Sequence, residues 1–70
     1  MLNALKLKGK IVENNTSIPA ISTAIGIDTA TFYRKLNRNS FSISEADKIA
    51  EFLNLTGDEA TAIFFSQYVA

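Results

Sequence analysis

Ser17-Ile18-Pro19-Ala20-Ile21-Ser22-Thr23-Ala24-Ile25-Gly26-Ile27-Asp28-Thr29-Ala30-Thr31-Phe32-Tyr33-Arg34-Lys35-Leu36-Asn37 is the stretch that decides the fold. Ser17 suits a helix start, because its hydroxyl accepts from backbone N–H groups that the first turn leaves unpaired. Pro19 fits only such a start: it has no N–H to lose there, whereas further along it would break the ladder. Ile18, Ile21 and Ile25 then fall on one stripe, and Gly26 closes the helix in the left-handed conformation that only glycine adopts cheaply. Asp28 caps a second helix almost at once, running to about Asn37, with Phe32 and Leu36 four apart as its buried side. Two short helices joined so tightly must cross steeply, as in a helix-turn-helix unit. Small Ser22 lies where they approach, and Phe32 fills the angle between them.

Outward from this stretch the same period continues. Ala4, Leu7 and Ile11 mark an amphipathic first helix from Leu2 to about Glu13, weakened by Gly9 and stopped at Asn14 and Asn15. After Asn37, Arg38, Asn39 and Ser40, Phe41 and Ile43 are expected to anchor the chain to the core. A fourth helix is predicted from Ser44, with Asp47 completing a capping box and Ala46, Ile49, Ala50 and Leu53 as its stripe. Thr56 and Glu59 form a better box for a fifth, carrying Ala60, Ile63, Phe64 and Tyr68. No alternation of period two is present, so the chain is read as all-α.

From Ser17 to Asn37 the chain resembles the phage Cro and repressor-type (Xre-like) helix-turn-helix family, and Phe41 to Leu53 is similar to that family's fourth helix. Ile18 and Ser22 depart from it, standing where Gln and Ala are common. Ile18 cannot make the phosphate contact of a glutamine, while Ser22 is small enough to keep the packing. The resemblance implies a compact five-helix bundle of the lambda-repressor-like DNA-binding type, with the third helix in the major groove of an operator. It selects Thr29, Ala30, Tyr33 and Arg34 as the residues facing bases. Their chemistry fits: Arg34 can donate twice to guanine, Thr29 can donate or accept, and Ala30 can touch a thymine methyl. Tyr33 either spans a phosphate or base edge, or lies over the neighbouring helix with only its hydroxyl wet. Phosphate positioning falls to Ser17 at the second helix start and to Asn37, Arg38 and Asn39. Lys35 either shares that role or solvates an exposed face. The implied protein is a phage or prophage regulator.

Charge patterning gives this reading a layout. The 70 residues carry no net charge, yet up to residue 38 six basic residues face two acidic ones, net +4, and from residue 39 Lys48 faces five acids, net −4. A basic face and an acidic back would orient the approach to a polyanion. Lys6, Lys8 and Lys10 are read as an ordinary solvated face, and so few cations predict a shallow salt dependence.

Composition narrows the alternatives. Seventy residues make one domain with one modest core, leaving no room for an effector-sensing unit, so neither a small-molecule ligand nor a cofactor is expected. With no Cys and no His, and acids that read as helix surface and caps, neither a metal site nor an enzyme is expected. Lysines interrupt the apolar start, so no membrane span is expected, and a cytoplasmic location is. The rival function is a helical protein-interaction module, antirepressor-like or polymerase-binding. The cluster Phe64, Phe65, Tyr68 and Val69 is open to three readings: a patch for such a partner, the seam of a homodimer formed on DNA, or a cap on the monomer core.

Overall fold

A computed structural model describes residues 2–65, which form five helices and no strand. These are α1 (Ala4–Glu13), α2 (Ile18–Ile25), α3 (Thr29–Arg38), α4 (Ile43–Phe52) and α5 (Gly57–Phe64). Helix α2 packs on α3 and α4, while α5 packs on α1 and α4, so every helix has a partner in a body of 33 × 23 × 20 Å.

One core unites them, built from Leu7, Ile11, Ile21, Ile25, Phe32, Leu36, Ala46, Ile49, Leu53, Ile63 and Phe64. In α1 to α4, counting Leu53 at the end of α4, the positions come at three- and four-residue spacing, the apolar stripe each element must bury, while α5 supplies the adjacent Ile63 and Phe64. Phe32 is fully buried and meets Phe41 edge to face at 5.0 Å between ring centroids; Phe41 in turn meets Phe64 at 6.3 Å. Phe41 therefore anchors the α3–α4 connection, as expected. Ile43 does not: it is 77% exposed in the first turn of α4, off the stripe of Ala46 and Ile49.

The helix ends follow from local chemistry. Ser17, Asp28 and Thr56 cap their helices as the sequence implies, and Thr56 with Glu59 closes a full capping box. Helix α4 begins earlier than predicted, with Ser42 and Glu45 as the box in place of Ser44 and Asp47. Helix α3 continues one residue further, to Arg38, before Asn39 ends it at φ 55°. Asn15 and Asn54 also take positive φ just after α1 and α4, the conformation asparagine tolerates better than other residues with a Cβ.

Long-range polar ties fix the arrangement. The Leu2 N–H donates to Asn39 Oδ1 at 2.9 Å and the Asn3 N–H to the Ile63 carbonyl at 2.7 Å, so the chain's start is pinned to the end of α3 and to α5. Lys10 on α1 pairs with Glu59 on α5, and Lys35 on α3 with Glu45 on α4. Both pairs join the basic part of the sequence to the acidic part. Lys10 is thus no member of a solvated lysine face, and Lys35 is engaged with the protein itself.

Candidate nucleic-acid interface

Helix α3 is positioned by the turn that precedes it. Only Gly26, Ile27 and Asp28 separate it from α2, with Gly26 at φ 83° donating back to the Thr23 carbonyl and Ile27 to that of Ser22. Ser22 is buried on α2, which packs on both α3 and α4, and its hydroxyl donates to the Ile18 carbonyl at 2.7 Å. The one buried polar side chain among the described residues is therefore satisfied without leaving its own helix.

Residues four apart lie in rows along a helix. In α3 the row of Phe32 and Leu36 is buried. The next two rows turn outward: Thr29, Tyr33 and Asn37 in one, Ala30, Arg34 and Arg38 in the other. Thr29 is half-buried and Tyr33 is 46% exposed, while Ala30, Arg34, Asn37 and Arg38 are exposed. Seven sequence-selected positions, counting Asn39 at its end, thus belong to one helix, spread over about 15 Å at 1.5 Å per residue. Thr31 and Lys35 lie on the remaining flank, which Lys35 ties to α4.

The start of α3 carries a fixed negative charge. Asp28 Oδ1 accepts from the Thr31 N–H at 2.8 Å. Hydrogen bonds from the Thr31 side chain and backbone, and to a lesser degree the Arg34 charge, hold this carboxyl below the usual carboxylate range. Asp28 is therefore a cap. Among the described residues Arg34 and Arg38 form no ion pair and leave their guanidinium groups to solvent.

The remaining predicted residues are placed as follows. Ser17 is exposed at the start of α2, where its Oγ accepts from the Ala20 N–H at 3.2 Å and its own O–H donates to no described residue. Asn39 is exposed at the far end of α3, but its Oδ1 is occupied by Leu2, so structural duty limits what it can offer a ligand. Phe64 belongs to the monomer core; Phe65 is half-buried against that core, 6.4 Å from Phe64 between ring centroids. Tyr68 and Val69 lie outside the described residues.

Sequence reasoning missed a hollow of about 290 Å³ beside this face, lined by Lys8, Ile11, Val12, Ile18 and Tyr33. It brings α1 and the start of α2 to one side of the outward rows of α3. Tyr33 lines it together with residues of α1 and α2 while staying 46% exposed. The available signal was Val12, an apolar residue one turn past Lys8 and off the stripe of Leu7 and Ile11.

No helix among the described residues is long and apolar enough to cross a membrane. No protein-family model, curated protein or solved structure gives a significant match to the chain.

Proposed function

We propose that the protein is a sequence-specific, double-stranded DNA-binding regulator of transcription. It is a lambda-repressor-like helix-turn-helix protein in which α2 braces α3 in the major groove, acting in the cytoplasm as a phage or prophage Cro-type repressor. The observation that carries this reading is the composition of the outward rows of α3. A helix held by Phe32 and Leu36 presents Ala30, Tyr33, Arg34 and Asn37 to solvent beside a half-buried Thr29, a set able to donate, accept and touch a methyl group. The major groove, about 12 Å wide, admits one helix. Arg34 sits near the middle of α3, with its guanidinium uncommitted, and is assigned the bidentate guanine contact. Ser17 and Arg38 are assigned to phosphates on either side, with Asn37 between.

A single ten-residue helix buries little of an operator, so two copies on a two-fold site are expected, their reading helices about one duplex turn apart. With Phe64 in the core, Phe65 and Tyr68 are assigned to the seam. Exposed Ile43 stands beside a groove of about 110 Å³ lined also by Ala46, Ala50, Ala60 and Phe65.

That same groove favours the second reading, a protein-interaction module that does not read DNA. Titration against the duplex upstream of its own gene and against a scrambled duplex, at several salt concentrations, separates the two. The regulator binds the upstream duplex more tightly; equal weak binding to both contradicts sequence-specific regulation.

A further inference from the structure

We propose that Lys8 is a phosphate-contacting residue of the DNA interface. On this proposal the hollow bounded by Lys8, Val12, Ile18 and Tyr33 seats a sugar-phosphate segment next to the bases facing α3. The inference rests on the DNA-binding reading above and adds a third helix, α1, to the contact surface.

The cations divide by whether an acid partner holds them. Lys10 is committed to Glu59 and Glu13, and Lys35 to Glu45. Lys6, Lys8, Arg34, Arg38 and Lys48 form no ion pair among the described residues. Position on α1 then divides the lysines. Relative to the buried row of Leu7 and Ile11, successive turns of about 100° place Lys8 on one flank, and Lys6 and Lys10 on the other. The Lys10 flank is the one that meets α5, as its bond to Glu59 shows. The Lys8 flank opens on the hollow that Tyr33 of α3 and Ile18 of α2 complete.

The chemistry of the lining suits the same ligand. Val12 is largely exposed, Ile18 half-buried and Tyr33 accessible, so the walls are apolar, and no acidic side chain lines them. Lys8 is the only charge. One cation over an apolar wall suits the alternation of deoxyribose and phosphate along a DNA strand, the sugar against Val12 and Ile18 and the anion toward the ammonium. An acidic peptide would satisfy Lys8 equally, and a wild type that binds no duplex in the test below would overturn DNA as the occupant.

Wild type, Lys8→Gln, Lys8→Arg and Lys6→Gln are titrated with one mixed-sequence duplex and one specific duplex, by fluorescence anisotropy at several salt concentrations. Both lysines are on solvent-facing positions, and circular dichroism melts establish that each variant is folded. Lys8→Gln is expected to weaken both duplexes by a similar factor, several-fold at low salt, and to reduce the slope of log K against log salt by about 0.9. Lys8→Arg restores the slope, and Lys6→Gln leaves it unchanged. If wild type binds DNA and Lys8→Gln keeps the wild-type slope, the Lys8 assignment is overturned while the DNA reading stands. If wild type binds no duplex at low salt, both are overturned.

Discussion

The Lys35 ammonium of α3 donates to both carboxylate oxygens of Glu45 on α4, at 2.9 and 2.7 Å. Glu45 is at the same time the capping-box residue of α4, accepting from the Ser42 N–H at 2.8 Å. One carboxylate therefore starts α4 and clamps the flank of α3, and the Lys35 bond and the Ser42 bond together hold its pKa below the usual range. The proposed reading helix is thus steadied from α4 as well as from α2.

Lys35→Gln follows directly from that clamp. With both side chains mostly shielded, its loss is expected to cost about 1 kcal/mol in urea-induced unfolding, near the upper end for a paired charge at a surface. The salt slope of DNA binding is expected to stay at the wild-type value, because this cation is already neutralised. A fall in slope without a fall in stability would place Lys35 on DNA instead.

Glu59 gives a pH dependence with a definite sign. Its bond from Lys10 and its capping bond from the Thr56 N–H depress its pKa to about 2, from 4.5. A depressed carboxyl stabilises the fold above its unfolded pKa, and that contribution is lost as pH falls from about 4.5 to about 2. Thermal melts across this window are expected to show Glu59→Gln with a shallower acid limb than wild type, and Lys10→Gln likewise. Coincident pH profiles would show that the α1–α5 pair contributes nothing.

Two glycines are expected to respond in opposite directions. A Cβ at Gly26 meets no atom within 4 Å, so Gly26→Ala costs only the left-handed backbone at φ 83°, about 1–2 kcal/mol. Gly9 is equally open but sits within α1, where Gly9→Ala removes excess chain entropy and is expected to stabilise by about 0.5–1 kcal/mol. Differential scanning calorimetry of both variants checks the pair of signs.

The features legible in the sequence were those decided within a few residues. Ser17 with Pro19, Gly26, Asp28, and Thr56 with Glu59 each set a helix end by local hydrogen bonding or backbone preference, and each stands where it was expected. The start of α4 was not decidable in that way. Ser42 to Glu45 and Ser44 to Asp47 both fit a capping box, and the choice is reinforced by Lys35, ten residues away in sequence from Glu45. The same limit explains the lysines: Lys6, Lys8 and Lys10 look alike along the chain, and only the fold gives Lys10 an acid partner on α5 and Lys8 a hollow beside α3. Asn39 likewise read as a polar loop residue because its bond to Leu2 spans 37 positions.

Selection from a randomised duplex library tests, with no operator specified in advance, the proposal that α3 reads sequence through Arg34. Wild type is expected to enrich a motif containing a fixed G·C pair, and Arg34→Ala to lose that preference while remaining folded. The affinity lost for the enriched duplex should be about 1–3 kcal/mol, the value of one bidentate contact. A wild-type selection that ends with the same sequence distribution it began with would contradict the account.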